Sequence, residues 1–342
     1  MQFVGIDVGA KELSVVVQYL GKCKAAKTFD NTPIGHQQLI KYLNPKKHNA
    51  RICMEATGVY HFDLAVLIHK TQGLEVMVIN PNVANKFAQA LSVKNKNDQV
   101  DAEVLSIFVA KMNFVSWKCP SDDKIVLRAY ARQLSRLVET KTQLKNQIHS
   151  LESTNLTPQV IIKSQQKQIY FYEKEISKLE EAAVEFVSQN EEVNKKFQLL
   201  TAIKGVATRS AIQILGEILT LPNNLSYRQW VAYAGLNPKQ HQSGSSVNKT
   251  TRISKNGNRY LRRALYMPAL SAAHHNPHVN AYYLHLQLDN GLKKLQAVCA
   301  VMRKLLHAIW GMLQTGKAFD GSRFFNIGKN KLDPRQISTA AN

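Results

Sequence analysis

Short apolar runs alternate with helix-period segments over the first 118 residues of this 342-residue chain. Three β-favouring runs separated by turn-sized gaps open the chain, and they predict an antiparallel meander over Gln2–Val8, Leu13–Tyr19 and Lys22–Phe29. The elements predicted after them are a helix at Ile34–Leu43, a strand at Arg51–Glu55, a helix at Tyr60–Thr71, a strand at Glu75–Ile79 and helices at Asn82–Leu91 and Gln99–Lys111. Residues 1–118 are therefore expected to form an α/β domain.

The order of these predicted elements indicates a particular fold. Three strands are followed by helix, strand, helix, strand and helix, which is the element order of the ribonuclease H-like fold. In a sheet of that fold the first and fourth strands are neighbours. Residues near the ends of those two strands are therefore expected to face the same cleft.

A heptad pattern replaces this alternation in residues 119–196. The residues at one seam position are Tyr130, Leu137, Leu144 and Leu151, and those at the other are Leu127, Leu134, Lys141 and Ile148. After Thr157-Pro158 the spacing of three and four returns in Ile169, Tyr172, Ile176, Leu179, Ala183 and Phe186. Two such helices joined by a turn predict a coiled-coil hairpin, which either packs on itself or forms a dimer seam.

The third region, residues 197–342, is predicted to be mostly helical. Leu199–Leu215 resembles a helix-hairpin-helix, in which a glycine-rich turn presents backbone N–H groups to a phosphate, although only Gly205 is present and Ala207 replaces the second glycine. The same pattern also fits plain helix packing. Residues from Pro238 to Arg259 are polar and are expected to form a loop, and apolar-periodic helices are predicted at Tyr260–Ala273 and Lys293–Leu313.

Charge adds the first information about partners. The chain has 45 Lys and Arg against 24 Asp and Glu, a formal net charge of +21, and 16 of the basic residues but only three acids lie between Asn237 and the C-terminus. A basic surface of this size attracts phosphate backbones. No apolar run approaches the roughly 18 residues of a membrane span, and no leader pattern opens the chain. We expect a cytoplasmic, nucleoid-associated protein that binds nucleic acid.

The spacing of the cysteines bears on how the fold is stabilised. The four cysteines, Cys23, Cys53, Cys119 and Cys299, are far apart in the sequence and form no Cys-x-x-Cys pair. This spacing argues against a structural zinc site and against a disulfide framework. With 44% hydrophobic residues, the chain is long enough to bury the cores of two domains without such links.

Four acids are the candidates for chemistry in the first region. Asp7 lies within the apolar first strand and Glu55 ends the strand Ile52-Cys53-Met54-Glu55, while Asp98 and Asp101 are spaced to lie on one face at the start of a helix. A single strand-end acid is ordinary, and acids at a helix start also serve as caps or interact with the helix dipole. Together, however, four converging carboxylates predict a site for Mg²⁺ or Mn²⁺. Lys94 and Lys96, just before the pair, are expected to contact the nucleic-acid backbone.

A serine segment is the candidate in the third region. Ser243 opens the stretch Ser243-Gly244-Ser245-Ser246, whose composition is most often that of a flexible turn. Its basic surroundings favour a second interpretation, because a serine that attacks phosphorus needs cations to stabilise the developing oxyanion. The basic residues expected to bind nucleic acid here are Lys249, Arg252, Lys255, Arg259, Arg262 and Arg263.

These motifs, taken in order, make the chain resemble the DEDD transposases of bacterial insertion sequences, whose studied members act as bridge-RNA-guided DNA recombinases. The resemblance covers nearly the whole chain. The motifs that carry it are Gly5-Ile6-Asp7, Met54-Glu55-Ala56-Thr57-Gly58, Ile79-Asn80-Pro81, Lys96-Asn97-Asp98-Gln99-Val100-Asp101-Ala102, Ala234-Gly235-Leu236-Asn237-Pro238, Ser243-Gly244-Ser245-Ser246 and Leu261-Arg262-Arg263-Ala264-Leu265-Tyr266-Met267-Pro268.

The resemblance implies a separate role for each of the three regions of the chain. Residues 1–118 would be a RuvC-like domain with Asp7, Glu55, Asp98 and Asp101 as its metal-binding tetrad, residues 119–196 a coiled coil, and residues 197–342 a transposase domain. Ser243 would attack the scissile phosphate, form a covalent phosphoserine link to DNA, and lead to strand exchange through a junction intermediate. The family also implies donor and target DNA, a structured guide RNA, and a dimer or tetramer in which the tetrad of one protomer meets the serine of another.

Two other functions fit the same residues. A RuvC-like junction nuclease would use the carboxylates and a metal-activated water, with Ser243 as a loop residue. A non-catalytic protein that binds RNA or DNA would keep the basic surface and could lose the acids without consequence. The intact set of four acids favours the catalytic alternatives.

Overall fold

The computed structural model describes residues 1–43, 48–56, 58, 60–93, 95, 97–243 and 247–328, with the side chains of residues 240–243 and 247–250 left out. The chain forms two compact units, Met1–Cys119 and Pro120–Asn342. Across the described ranges, every helix is either too short or too polar to cross a membrane.

The first unit is built on one mixed sheet. Its strands are β1 Gln2–Val8, β2 Glu12–Tyr19, β3 Lys22–Cys23, β4 Lys27–Asp30, β5 Ala50–Glu55 and β6 Leu74–Ile79. The order along the sheet is β3-β2-β1-β5-β6, with β4 also paired to β2. The strands β2, β3 and β4 form the antiparallel meander with β1, whereas β1, β5 and β6 are parallel. The first and fourth predicted strands are therefore neighbours, as the sequence predicts.

Helices cover both faces of this sheet. They are α1 Pro33–Leu43, α2 Phe62–Lys70, α3 Pro81–Ala90 and α4 Asp98–Lys111. One face of β1, with Val4 and Ile6, packs in a buried cluster with residues of α1 and α2. The opposite face of the sheet packs in a second cluster with residues of α3 and α4, among them Leu105 and Phe108. Asp7 alternates with Ile6 along β1 and so belongs to the α3 and α4 face.

Gly5 allows α4 to approach this sheet closely. A Cβ atom at residue 5 would overlap the backbone of Ala102 and Ser106 in the middle of α4. Since backbone atoms cannot move aside as a flexible side chain can, only glycine fits at this crossing. The close approach of α4 to β1 brings the first turn of α4 beside the end of β1.

The third predicted strand is divided in two. β3 pairs Cys23 with Gln18, and β4 resumes by pairing Lys27 with Val15. The chain therefore advances four residues while its partner β2 advances three. One extra residue against a continuous partner is the property of a bulge, which bends a strand without changing which strands pair.

The second unit begins with two long helices, α5 Asp122–Leu151 and α6 Gln159–Ser188. They run antiparallel, because Tyr130 of α5 stacks on Phe186 near the end of α6, whereas Lys141 lies 3.5 Å from Glu173 near its middle. Leu127, Leu134 and Ile148 are buried as the heptad pattern predicts. The two helices of the hairpin pack on each other within this chain, and a dimer seam formed by the same hairpin stays a prediction.

The elements that follow are mostly helical. They are α7 Glu191–Thr201, α8 Thr208–Ile218, α9 Tyr227–Ala234, β7 Pro238–Ser243, β8 Val247–Ile253, α10 Arg259–His275, α11 Pro277–Leu288, α12 Lys294–Thr315 and α13 Gly321–Phe324. One buried cluster includes residues of α5 and α6 together with residues of α7 to α13. The hairpin therefore shares a core with the C-terminal helices, whereas the sequence predicts a separate segment for residues 119–196.

The prediction of a loop from Pro238 to Arg259 is wrong. β7 and β8 form an antiparallel hairpin across this segment, with Pro238 opposite Ile253 and Ser243 opposite Val247. The two strands have no continuous apolar face, so hydrophobic periodicity gives no sign of them. Their main-chain pairing holds them together instead.

The glycine of the predicted helix-hairpin-helix has a packing role. Gly205, in the turn between α7 and α8, has φ of +110°. A Cβ atom there would overlap the backbone of Ala272 in α10. Close helix packing is therefore sufficient to explain the glycine, and the role of this turn in phosphate binding stays a prediction.

Candidate active site

Asp7 and Glu55 lie side by side at the same edge of the sheet. β1 and β5 are parallel, and their register pairs Gly5 with Cys53 and Ile6 with Met54. Asp7 and Glu55 are the next residue on each strand, and both alternate onto the face that α3 and α4 cover. Each carboxylate is partly buried. The predicted neighbourhood of these two acids is therefore present in the sheet.

Asp98 and Asp101 lie in the first turn of α4. The N-cap of this helix is Asn97, whose side-chain oxygen accepts a hydrogen bond from the Val100 N–H at 2.9 Å. The cap is therefore supplied by the amide and not by either carboxylate. Capping, one ordinary explanation of the acidic pair, does not account for it, although both acids still interact favourably with the helix dipole.

A cavity of about 460 Å³ lies among these elements. Asp7, Glu55 and Asp101 line it, together with Asn85 and Gln89 of α3. The Gln89 side chain donates a hydrogen bond to Asn85 Oδ1 at 3.2 Å. These two amides are functional candidates that were not predicted from the sequence. The signal that could have revealed them is their spacing of four residues on a helix with alanines at positions 84 and 88, which puts both on one face.

The charges in this site act most strongly on Asp7. Burial raises the pKa of Asp7 from the usual 3.8 to about 6, and the negative charges of Asp98, Asp101 and Glu55 add to the rise. The four predicted acids are thus near enough to repel one another. In the ranges that the structure covers, however, no three Asp, Glu, His or Cys side chains are gathered closely enough to hold one metal ion. The site is a set of neighbouring carboxylates and not a closed ligand sphere.

This pKa predicts how the stability of the first unit depends on pH. Folding favours the protonated form of Asp7, so its contribution is fully present below about pH 4 and is lost as the pH rises through about 6. Asp7→Asn cannot ionise, so with a chelator present we expect it to be more stable than wild type by about 1–2 kcal/mol at pH 8, allowing for screening of a partly exposed group. At pH 4 the two proteins should be equally stable.

Hydrogen exchange of the β1 amides at several pH values measures this difference in the first unit alone. Glu12→Gln is the matched control, since it removes an exposed carboxylate from the neighbouring strand β2. Its stability relative to wild type should change little between pH 4 and pH 8. An Asp7→Asn variant that is less stable than wild type at pH 8 would mean that the carboxylate makes a net favourable interaction, contrary to the repulsion described above.

Ser243 is the last residue of β7, in the second unit. Its backbone pairs with Val247 of β8, while its side chain and residues 244–246 lie outside the described part of the chain. The Ser243-Gly244-Ser245-Ser246 motif thus starts at the far end of a β-hairpin. The opposite end of this hairpin is held by hydrogen bonds, including Ser254 N–H to the Asn237 carbonyl at 2.9 Å and Ser254 Oγ to Asn237 Oδ1 at 2.6 Å.

The predicted nucleic-acid contacts differ in their surroundings. Arg252 and Lys255 are exposed, and Arg259 is exposed with its guanidinium 5.1 Å from the centre of the Tyr260 ring. Lys249 is in β8 with its side chain outside the description, and Lys94 and Lys96 lie outside the described residues. Arg252, Lys255 and Arg259 are therefore accessible to a phosphate backbone.

Arg262 and Arg263 are occupied by protein partners. The Arg262 guanidinium donates to the Ala234 carbonyl at 2.8 Å, which ties α10 to the end of α9. Arg263 forms a two-pronged ion pair with Glu139 of α5, with distances of 2.6 and 2.7 Å. This pair lowers the pKa of the partly exposed Glu139 carboxyl through the Arg263 hydrogen bond. A phosphate would have to compete with these partners, so the structure gives both arginines a role in holding α10.

A buried acid near the base of the β7–β8 hairpin was also not predicted from the sequence. Glu217 of α8 is only 1% exposed, and it forms ion pairs with Arg128 and Arg132 of α5. Burial by itself raises the pKa of Glu217, but the hydrogen bonds from Arg132 and Asn258 and the charges of both arginines lower it overall. One feature of the sequence could have indicated this acid, because Glu217 is the single acid in the apolar stretch Ile212–Leu219. An unpaired buried charge is energetically very costly, so an acid in such a stretch is expected to have a basic partner.

Comparison with known proteins identifies two matching families. Residues 4–153 match the DEDD transposases of the IS110 type, described as Transposase. Residues 197–284 match a family described as Transposase IS116/IS110/IS902 family. The first match includes the four candidate acids Asp7, Glu55, Asp98 and Asp101, and the second includes α8, the β7–β8 hairpin and α10.

Similar proteins align over most of their own length. The pilin gene-inverting protein of Moraxella bovis is 27% identical over 299 residues, which are 86% of this chain and 90% of the relative. The transposase for insertion sequence element IS1328 of Yersinia enterocolitica is 24% identical over 346 residues, covering 92% and 98%. The transposase for IS1111A of Coxiella burnetii is 25% identical over 304 residues, covering 80% and 79%. The two family matches and these relatives agree: the chain belongs to the IS110-type DEDD transposases, enzymes of DNA recombination.

Proposed function

We propose that this transposase cuts and rejoins DNA by serine attack on phosphorus, assisted by a divalent metal ion at the four carboxylates. The observation that carries the proposal is the convergence of Asp7, Glu55, Asp98 and Asp101, from two strands and a helix, beside one cavity of the first unit. A protein that only bound nucleic acid would have no need of mutually repelling carboxylates in a basic chain.

The donor set fits a hard divalent cation. All four side chains offer oxygen atoms, the ligands that Mg²⁺ and Mn²⁺ prefer, and family membership implies dependence on a divalent metal ion. Such an ion, when bound, supplies a Lewis acid that stabilises charge on phosphate oxygens. The acids would hold the ion, and their negative charge would keep other anions from binding it on the side that faces the protein. The side-chain amides of Asn85 and Gln89 could hydrogen-bond to the carboxylate oxygens or to the substrate.

The proposed reaction exchanges one phosphodiester bond for another. The Ser243 hydroxyl loses its proton and forms an Oγ–P bond, while the bond from phosphorus to one deoxyribose oxygen breaks and that oxygen leaves as a hydroxyl after taking up a proton. No oxidant, reductant or nucleotide is consumed. Because the phosphoserine bond conserves the energy of the broken bond, a hydroxyl of another DNA end can reverse the step and complete strand exchange.

The partners follow from charge and chemistry. The net charge of +21 suits donor and target DNA and also a structured guide RNA, with sequence chosen by base pairing more than by protein side chains. We propose that the enzyme acts in the cytoplasm at the nucleoid, as a dimer or tetramer in which the tetrad of one protomer serves the serine of another.

Mixing Ser243→Ala protein with Asp101→Asn protein should then restore part of the activity that neither variant has alone.

Mapping the covalent bond tests the proposed reaction. The protein is expressed from a plasmid that carries its gene with the flanking non-coding DNA, so that any RNA encoded there is present. Lysis in detergent, nuclease digestion and trypsin cleavage after Lys239 and Lys249 yield the ten-residue peptide Gln240–Lys249. We expect mass spectrometry to find a nucleotide remnant on Ser243 of this peptide.

Other outcomes of this experiment identify the alternatives. A remnant on Ser245 or Ser246 would move the nucleophile within the motif, and one elsewhere in the chain would refute the serine assignment. Cut DNA with free ends and no adduct would support the junction nuclease that activates water. Uncut DNA that nevertheless copurifies with the protein would support a protein that only binds nucleic acid.

A further inference from the structure

Glu217 is the centre of a buried polar network in the second unit. Its carboxylate accepts hydrogen bonds from Arg132 Nε at 2.7 Å and Nη2 at 3.1 Å, and from Asn258 Nδ2 at 2.6 Å. Arg128 Nε lies 3.4 Å from the carboxylate as an ion pair without a hydrogen bond. Asn258 Nδ2 is also 2.7 Å from the hydroxyl of Tyr233. The network therefore joins α5, α8, α9 and the segment that leads from β8 to α10.

Asn258 connects this network to the base of the β7–β8 hairpin. Its backbone N–H donates to the Tyr233 carbonyl at 2.6 Å, and its side-chain oxygen caps α10 by accepting from the N–H groups of Tyr260 and Leu261. Just before it, Lys255 N–H donates to the Gly235 carbonyl at 3.0 Å. The chain on both sides of the hairpin is thus fixed where Glu217 holds Asn258.

We infer that Glu217 is a positioning residue for Ser243: through Asn258 it fixes the base of the hairpin that carries the serine at its other end. This inference rests on the proposed serine mechanism. Attack on phosphorus requires the oxygen in line with the leaving group, and an error of about 1 Å in such a position can lower a rate 10²-fold. A rigid base is what a nucleophile at the end of a two-stranded hairpin needs, because an isolated hairpin is only marginally stable.

The positive charges of two neighbouring arginines explain why residue 217 is a carboxylate. Arg128 and Arg132 bring two positive charges to it, both about three-quarters buried, and Arg132 also lies 4.9 Å from the centre of the Tyr260 ring. Glu217 compensates one of them and accepts from the Asn258 amide at the same time. A neutral side chain would leave both guanidinium groups uncompensated and would weaken the hydrogen bond to Asn258.

Two single substitutions and their combination test this role. Glu217→Gln removes the charge, and Asn258→Asp keeps a capping oxygen for α10 but cannot donate to Glu217. In the double variant the glutamine amide can donate to the new carboxylate, so the link returns with its polarity reversed. We expect each single variant to form the DNA adduct about 10²-fold more slowly in a single turnover, with unchanged affinity for DNA, and the double variant to recover much of that loss.

Glu180→Gln is the matched control. Glu180 of α6 accepts from Arg209 of α8 at 2.6 and 2.8 Å, so the control removes a similar ion pair between helices of the same unit. Its adduct rate should equal that of wild type. Hydrogen exchange adds a readout independent of activity: the N–H groups of Ser254, Lys255 and Asn258 should exchange faster in Glu217→Gln, while those in the middle of α8 do not.

Two results would overturn the inference. One is a wild-type adduct rate in Glu217→Gln. The other is a rate that falls only in proportion to the unfolded fraction, with exchange faster throughout α8, since that would indicate general destabilisation. A failure of the serine mechanism itself is recognised separately: either wild-type protein would cut DNA without forming an adduct, or Ser243→Ala would still form one, whatever Glu217→Gln does.

Discussion

Ser243→Ala is expected to abolish the covalent protein–DNA adduct and to leave DNA binding intact. The substitution removes one hydroxyl from the end of β7 and keeps the backbone that pairs with Val247. The basic residues that would hold the DNA, including the exposed Arg252 and Lys255, are unchanged. Because a nucleophile forms the bond itself, its loss removes the adduct completely, whereas loss of a residue that only assists would lower the rate.

The adduct is measured on denaturing gels with labelled DNA, and DNA binding by a shift assay at fixed salt. Thr251→Ala is the matched control, because it removes an exposed hydroxyl from β8 of the same hairpin. That variant should form the adduct at the wild-type rate. An adduct of undiminished yield in Ser243→Ala would exclude this serine as the nucleophile and would mean that another residue, such as another serine of the motif, forms the bond to DNA.

Much of the first unit could be predicted from the sequence because its signals are local. The strands β1, β5 and β6 are apolar runs ended by turn residues, and the helices between them have a clear period. Their order was enough to place Asp7 beside Glu55. The division of the third strand could not be predicted, since it depends on one extra residue opposite β2 and leaves the composition of the run unchanged.

Less of the structure of the second unit could be predicted from the sequence. Pro238–Ser243 and Val247–Ile253 are polar strands, so the alternation that marks a half-buried strand is missing. The importance of Glu217 depends on Arg132 and Asn258, which are 85 and 41 residues away in the sequence. A single sequence gives no indication of such distant pairs. The heptad pattern predicted the hairpin of α5 and α6, but not that α8 packs on it.

The residues of the candidate site could also be predicted only in part from the sequence. The acids could be chosen because carboxylates are rare in this basic chain and stand at the ends of predicted elements. Asn85 and Gln89 could not, because amides are common on helix surfaces and only the cavity singles them out. Gly5 appeared in the sequence as part of a motif. Its reason, the contact of β1 with α4, is a fact of packing.

Asp101→Asn is expected to lower the rate of DNA cleavage by about 10³-fold, since the electrostatic contribution of a bound metal is worth several kcal/mol. Asp101 lines the cavity with Asp7 and Glu55, so an amide in its place removes one of the charges that would hold the ion. The fold should survive. The variant loses an interaction of Asp101 with the dipole of α4, worth about 0.3–1 kcal/mol, but it also loses repulsion from the neighbouring acids.

A second measurement separates metal binding from other causes of inactivity. Mg²⁺ or Mn²⁺ should protect the amides of β1 and β5 from hydrogen exchange in the wild-type protein, because a ligand that binds only the folded state stabilises it. In Asp101→Asn this protection should need much more metal. Glu103→Gln, an exposed carboxylate on the same helix, is the control and should behave like wild type in both assays. If Asp101→Asn kept wild-type cleavage and wild-type protection by metal, the acids would not form a metal site, and the protein would have to cut DNA without them.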